Sequence, residues 1–110
     1  MSLAVLHSRA LAGMDAPPVT VEVHLANGLP YFTIVGLPDT EVRESRDRVR
    51  AALANCRFEF PARRVTVNLA PAELPKEGGR FDLPIALGIL AASSQVRSDG
   101  LDGYEFAGEL

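Results

Sequence analysis

The sequence predicts an α+β fold, a mixed β-sheet with two packed helices. Segments that alternate between apolar and polar residues, as half-buried strands do, lie on both sides of a segment with helical periodicity. A second predicted helix begins at Asp82 and has no polar side chain from Ile85 to Ala92, so other elements must enclose it. The predicted order is three strands, a helix, a strand, the buried helix and a last strand, which is typical of the α+β class.

Size and composition describe one globular domain. Of the 110 residues, 47% are apolar and 23% are charged, which argues against disorder. The net charge of -3 gives no overall signal for nucleic-acid binding, although a local basic patch is compatible with it. The longest apolar run, about ten residues, is shorter than the roughly 20 of a membrane span. Cys56, His7 and His24 provide neither a disulfide nor a zinc-like cluster, and no secretory signal is visible, so we expect a cytoplasmic protein.

The first third of the chain predicts three strands. Residues 4–8 are a short apolar segment, which ends at the glycine and prolines that follow it. Residues 19–25 alternate without a fault, and residues 31–35 are rich in β-branched and aromatic side chains. The intervening Asn27-Gly28 dipeptide is typical of a tight turn, so we expect the second and third strands to pair as an antiparallel hairpin.

A long helix is predicted after the breaker Gly36-Leu-Pro-Asp-Thr40. Asp39 or Thr40 can cap its first turn. The residues that recur at helical spacing on its apolar side are Val42, Val49, Leu53 and Cys56, with Ser45 and Ala52 beside them. Glu44 with Arg48, and Arg43 with Asp47, are oppositely charged pairs at helical spacing, so we expect them to support an exposed outer face.

The second half predicts a strand, the buried helix and a last short strand. Residues 64–69 alternate like a strand, and a proline-flanked loop then leads to a glycine turn. Asp82 is the expected N-cap of the buried helix, because its carboxylate can accept backbone N–H groups and is favoured by the helix dipole. Residues 104–108 predict a final strand, and the chain stops soon after it with no turn or cap, so we expect a longer polypeptide.

Four segments carry a family likeness: Gly36–Thr40, Glu44–Leu53, Val67–Leu90 and Tyr104–Leu110. Together they cover most of the chain, and the segment from Val67, with its Pro-Lys-Glu-Gly-Gly-Arg-Phe-Asp-Leu-Pro sequence, is long and specific. They resemble the N-terminal domain of the magnesium-chelatase-like AAA+ proteins of the competence protein ComM (YifB) type. The resemblance implies the ribosomal protein S5 domain 2-like fold, which the proteolytic domain of Lon shares.

The resemblance also implies the biological setting. A separate ATPase domain, with ATP and magnesium as its cofactors, would follow this single N-terminal domain in the full chain. The whole protein would be a hexameric motor that acts on branched DNA during natural transformation and recombination. This domain would be noncatalytic, with its own ATPase domain, neighbouring subunits and DNA as expected partners and no membrane contact. The alternative is a purely structural or oligomerisation module that does not touch DNA.

The turn from Lys76 to Arg80 lacks the features of two catalytic sites. A P-loop places its lysine after the glycines, whereas Lys76 precedes them and Asp82 puts a negative charge at the helix start. In Lon-type chains the nucleophilic serine follows a similar turn, and the matching residue here is Arg80, which cannot act as a nucleophile. We therefore expect no catalytic, cofactor or metal site in this chain.

The long helix carries the candidate binding residues. Arg43, Arg46 and Arg50 lie within about 60° of one another, at about 100° per residue, beside the apolar stripe. These arginines either pair with Glu41, Glu44 and Asp47 on a solvated face, or contact DNA phosphates or the ATPase domain. Lys76 and Arg80 are added as further candidate contacts for nucleic acid or a partner. The aromatic residues are expected in the core and not as base-stacking platforms: Tyr31, Phe32, Phe58, Phe60 and Phe81.

Overall fold

The computed structural model describes residues 2–110. Four strands, two α-helices of eleven residues and two shorter helical turns follow one another along these residues. In chain order they are β1 Ser2–Arg9, β2 Pro18–Ala26, β3 Tyr31–Val35, α1 Thr40–Arg43, α2 Ser45–Asn55, β4 Arg64–Ala70, α3 Asp82–Ala92 and a 3₁₀ turn at Leu101–Gly103. The predicted α+β class is confirmed.

The four strands form one mixed sheet in the order β1-β2-β4-β3. β1 and β4 both run antiparallel to β2, and β3 runs parallel to β4. The predicted hairpin of β2 with β3 is wrong, because β4 lies between them. The segment between β2 and β3 ends at Pro30. The amide of the next residue, Tyr31, donates to the carbonyl of Arg63 at 3.3 Å, so β3 begins beside the start of β4.

One face of the sheet forms the core with the two helices. The inward residues of β2 and β4 are fully buried or nearly so: Val19, Val21, Val23, Leu25, Val65, Val67 and Leu69. α3 lies over β1 and β2, and its Ile85 and Ile89 are completely buried, which confirms the predicted enclosed helix. The other face of the sheet is half-exposed and polar, and there Asn68 donates to Glu22 at 3.0 Å.

The predicted long helix is divided at Glu44 into α1 and α2. Asp39 caps α1, since its Oδ1 accepts the amide of Val42 at 2.8 Å. At the division the amide of Asp47 donates to the carbonyl of Glu44 at 3.1 Å, a bond of 3₁₀ type that tightens the turn. Ser45, the first residue of α2, is completely buried beside this turn.

The predicted final strand is also wrong, although residues 104–110 are pinned to the domain by backbone hydrogen bonds. Phe106 donates to the carbonyl of His7 at 2.8 Å, which is its contact with the free edge of β1. Gly108 instead donates to Arg80 at 2.9 Å and accepts from Leu83 at 3.0 Å, at the start of α3. The segment therefore leaves the sheet after one hydrogen bond and ties β1 to α3.

Gly88 sets how closely α3 approaches the sheet. A Cβ at this position would lie 2.5 Å from Cγ2 of Val23 and 3.1 Å from Cδ2 of Leu6. We expect Gly88→Ala to lower the free energy of unfolding by about 1–2 kcal/mol, because overpacking outweighs the better helix propensity of alanine. Urea denaturation followed by circular dichroism measures the change.

Gly103→Ala is the matched control, since nothing lies within 4 Å of a Cβ there. It should change the free energy of unfolding by less than about 0.5 kcal/mol. If Gly88→Ala were equally neutral, the close approach of α3 to β2 would be contradicted. In a double-mutant cycle, Val23→Ala should relieve part of the cost of Gly88→Ala.

Candidate functional site

A buried carboxylate joins the two main helices. Asp82, in the first turn of α3, is completely buried, and its side chain meets Ser45 and Arg48 of α2. Arg48 binds it with two parallel hydrogen bonds, Nε to Oδ2 at 2.7 Å and Nη2 to Oδ1 at 3.1 Å. Ser45 donates its hydroxyl to Oδ1, and the amide of Leu110 donates to Oδ2 at 3.2 Å. Both carboxylate oxygens are thus occupied.

This arrangement corrects two predictions. Asp82 is not the N-cap of α3: Phe81 precedes the helix, and no side chain caps it. Nor does Arg48 support an exposed outer face with Glu44, because it turns inward to Asp82 and is only 23% exposed. Neither this intrahelical pair nor the pair of Arg43 with Asp47 forms an ion pair among residues 2–110.

The Asp82 and Arg48 pair is structural in character. The hydrogen bond from Arg48 to Asp82 raises the pKa of the Arg48 guanidinium above its usual value, although burial of Arg48 acts in the opposite direction. Nη2 of Arg48 also donates to the carbonyl of Glu41 at 2.8 Å, so the same side chain holds α1. A carboxylate with its acceptors filled by such partners is not available to bind a cation or to take a proton from a substrate.

Lys76 is fully buried and is therefore not part of an exposed binding surface. Its Nζ donates to the carbonyl of Gly36 at 2.7 Å and to the carbonyl of Pro71. Burial lowers the pKa of Lys76 below its usual value, with Glu73 acting the other way. The lysine holds the turn before α1 against the loop after β4. In the turn before α1, Gly36 has φ 110° and passes so close to Leu69 that a Cβ on Gly36 would overlap the carbonyl of Leu69.

Arg80 is half-buried and lies beside the glycine turn. Its guanidinium folds back towards Gly78, where a Cβ would be 3.3 Å from Nη2, and its carbonyl accepts the amide of Gly108. Its Nε is buried without a hydrogen-bond partner in the part of the chain that the structure describes. None of the hydrogen bonds of Lys76 and Arg80 within residues 2–110 involves the candidate arginines of α1 and α2.

Those arginines form an exposed cationic surface. We call Arg43, Arg46 and Arg50 the arginine surface; all three are exposed, and none forms an ion pair with a residue in the range 2–110. Arg46 reaches the edge of β3, where its Nη1 lies 3.5 Å from the carbonyl of Phe32. The guanidinium of Arg50 lies over the ring of Phe60, 4.1 Å from its centroid. The charges of this surface therefore face solvent without a carboxylate partner.

Two exposed side chains that were not among the predicted binding residues, Tyr31 and Arg64, lie at the starts of β3 and β4. Tyr31 is 58% exposed, so its expected place in the core is wrong, whereas Phe32 and Phe81 are buried and Phe58 and Phe60 pack against the core as predicted. Arg64 is the register partner of Tyr31 on the neighbouring strand and is also exposed. The alternation of residues 31–35 already separates Tyr31 from the inward-facing Phe32, and that signal places it on the outer face.

A cleft of about 640 Å³ lies at the other end of the sheet, between β1 and the 3₁₀ turn. His7 lies 3.7 Å from Asp102 there, and Glu105 forms an ion pair with Arg9 at 2.9 Å. The hydrogen bond to Arg9 lowers the pKa of Glu105.

Within residues 2–110 no group of three or more histidine, cysteine or carboxylate side chains is arranged to hold a metal ion. No helix in the same range is long and apolar enough to cross a membrane.

Comparison with known proteins identifies the family. Residues 21–110 match the family described as "Subunit ChlI of Mg-chelatase". The chain belongs to this ChlI family. The match begins in β2 and includes both main helices, the arginine surface and the buried Asp82 and Arg48 pair.

Individual relatives match the whole chain. It is 64% identical to competence protein ComM of Haemophilus influenzae, 61% identical to the uncharacterised protein YifB of Salmonella typhimurium and 60% identical to YifB of Escherichia coli. Each match covers 100% of this chain and 22% of the relative, so the chain spans less than a quarter of their length. The predicted resemblance to the N-terminal domain of ComM and YifB is confirmed.

Removing the charge of Asp82 tests the pair that joins α2 and α3. We expect Asp82→Asn to lower the free energy of unfolding by about 2–4 kcal/mol, because Arg48 loses its bidentate partner in a largely buried site. Urea denaturation measures this. Asp99→Asn is the matched control, since Asp99 pairs with Arg97 on the surface at 2.8 Å. That control should cost less than about 1 kcal/mol, and equal effects of the two substitutions would contradict the structural role of Asp82.

Lys76 is the one lysine of the sequence, which permits a direct test of its burial. We expect an amine-reactive acylating reagent to leave Lys76 unmodified in the folded protein, because its Nζ is buried and engaged by two carbonyls. In denaturant the same lysine should react fully. Peptide mapping by mass spectrometry locates the modification. Reaction of the folded protein at the denatured rate would show that Lys76 is accessible.

Proposed function

We propose that this chain is a noncatalytic accessory domain of a ComM-like hexameric AAA+ ATPase that acts on branched DNA in natural transformation and recombination. The observation that carries the proposal is the arginine surface, three exposed guanidinium groups without an ion pair among residues 2–110. The 64% identity to a competence protein supports the biological setting. A cytoplasmic location and the ribosomal protein S5 domain 2-like fold belong to the same proposal.

The noncatalytic assignment rests on the engagement of the reactive groups. The carboxylate of Asp82 accepts hydrogen bonds from Ser45, Arg48 and the amide of Leu110. The ammonium group of Lys76 donates to two backbone carbonyls. Neither side chain is positioned to meet a substrate. ATP, magnesium and the force of the motor would come from a separate ATPase domain, which would also be a partner of this one, together with neighbouring subunits.

Phosphate contact suits the chemistry of the arginine surface. Guanidinium groups bind phosphate oxygens with two donors and remain charged at any physiological pH. The cation–π contact of Arg50 with the ring of Phe60 holds the guanidinium group in place without neutralising it. Lys76 is left out of the proposed DNA contact because it is buried, and Arg80 because it is half-buried beside the glycine turn.

The second candidate is a structural or oligomerisation module without DNA contact. The observation in its favour is the pair of large apolar side chains, Leu11 and Met14, exposed by 63% and 103% between β1 and β2. Exposed apolar groups of this kind suit a protein interface. The mass of the chain in solution, measured by light scattering over a concentration series, tests self-association by this region.

Simultaneous substitution of Arg43, Arg46 and Arg50 by alanine tests the main proposal. We expect the wild-type chain to bind a fork or Holliday-junction DNA at low salt and the triple variant to bind much more weakly. Because each phosphate contact adds about 0.9 to the slope of log affinity against log salt, the slope should fall by about 2–3. Electrophoretic mobility and fluorescence anisotropy across a salt series give both values.

The matched control replaces exposed arginines that already have carboxylate partners, Arg9 and Arg97. Alanine at these two positions should leave the salt slope unchanged, because their charges are neutralised within the domain. A wild-type chain that shifts no junction DNA at low salt would refute the DNA contact and favour the structural module. Binding that is unaffected by the triple substitution would refute the arginine surface.

A further inference from the structure

The free edge of the sheet carries exposed apolar side chains. β3 is the last strand of the order β1-β2-β4-β3, so one side of its backbone pairs with no other strand of the described residues. Large apolar side chains within this strand and at its two ends are exposed: Leu29 by 87%, Tyr31 by 58%, Val35 by 44% and Leu37 by 55%. Exposed apolar groups concentrated on one strand indicate a binding edge.

A groove lies where β3 and β4 begin. Leu29, Pro30, Tyr31 and Arg64 line a volume of about 570 Å³. Tyr31 and Arg64 are register partners on adjacent strands, so the phenol ring and the guanidinium group lie on the same face of the sheet. The groove thus offers one aromatic ring, one planar cation and two apolar side chains, and its volume falls within the roughly 300–1,000 Å³ of small-molecule sites.

Arg64 lines this groove, and further arginines lie beside β3 and just before β4, so the groove favours an anionic occupant. Arg46 reaches the carbonyl of Phe32 on the free side of β3, and Arg50 lies over Phe60. Arg63 precedes β4, and its side chain makes one long hydrogen bond, 3.5 Å, to Asn27 within the described residues. Like Arg64, these arginines form no ion pair with any residue from 2 to 110. A partner that supplies both flat apolar rings and regularly spaced negative charges matches the groove together with these arginines.

Single-stranded nucleic acid has both properties. Its unpaired bases stack on aromatic rings and arginine planes, while its phosphates follow a basic surface. A duplex offers the same phosphates, but its bases are already stacked and paired. An acidic peptide offers charge without a flat ring at regular spacing.

We propose that the groove of Leu29, Pro30, Tyr31 and Arg64 binds an unpaired base of single-stranded DNA, with Arg46, Arg50 and Arg63 contacting the flanking phosphates. This inference rests on the proposed function, because it specifies which part of a branched DNA the domain holds. Tyr31 supplies the stacking surface, and Arg64 stacks on or donates to the same base. The domain then recognises the single-stranded arm of a forked DNA by its exposed bases and not by its sequence.

Tyr31→Ala tests this site with fluorescein-labelled oligo(dT) of 20 nucleotides and a duplex of 20 base pairs as probes. Because one base stacked on an aromatic ring is worth about 1–3 kcal/mol, we expect the single-strand affinity to fall by about 5- to 150-fold. Duplex affinity should not change. Tyr31→Phe should keep single-strand binding, since the ring remains. Anisotropy titrations at several salt concentrations measure both affinities.

Tyr104→Ala is the matched control, because Tyr104 is also an exposed tyrosine, by 67%, but lies at the cleft beside β1. It should leave both affinities unchanged. Because Tyr31 and Tyr104 are both exposed, neither substitution should disturb the fold. Circular dichroism of each variant checks this.

The outcomes separate this inference from the function on which it rests. Equal single-strand affinity of Tyr31→Ala and wild type, with binding still much weakened by the triple arginine substitution, would overturn the groove and leave the arginine surface intact. Absence of binding to every DNA at low salt would overturn both. Binding of labelled polyglutamate that depends on Tyr31 as strongly as oligo(dT) binding does would overturn the assignment to nucleic acid and favour an acidic peptide.

Discussion

The pair of Asp82 and Arg48 is the interaction on which the arrangement of the helices depends. α3 lies deep against the sheet because it is apolar on every side, yet its first residue is a carboxylate with no exposure at all. A buried charge without a partner would cost several kcal/mol, so α2 must lie where Ser45 and Arg48 can reach it. Once α2 is fixed in this way, Arg46 lies at the edge of β3 and Arg50 lies over the ring of Phe60.

Periodicity predicted much of the fold. The alternation of residues 19–25 and 64–69, and the apolar run after Asp82, gave strands and a buried helix close to those observed. The strand order could not be obtained in this way, because it depends on which distant segments pair. Tyr31 is the clearest case: a turn dipeptide before it suggested pairing with β2, whereas its backbone pairs beside Arg63 and Arg64.

The candidate site was only partly predictable for a related reason. The exposed position of Arg43, Arg46 and Arg50 follows from local helical geometry, and the sequence indicated it. The roles of Arg48 and Lys76 depend instead on groups far along the chain: a carboxylate 34 residues away for Arg48 and the carbonyl of Gly36 for Lys76. The sequence offered Glu44 as a local partner for Arg48, but in the structure Arg48 binds the buried and distant Asp82 instead. A lysine beside glycines likewise suggested an exposed cation, although its stem and ammonium group fill the space between two turns.

The way in which residues 104–110 are attached has a mechanical consequence. In the ComM and YifB relatives, this chain corresponds to 22% of the length, so those proteins contain much more polypeptide than this domain. A pull on Leu110 would load its hydrogen bond to Asp82 first, together with the bonds of Gly108 to Arg80 and Leu83. Tension would therefore pass into the start of α3 and, through Arg48, into α2 before it reached β1 at the hydrogen bond of Phe106 to His7.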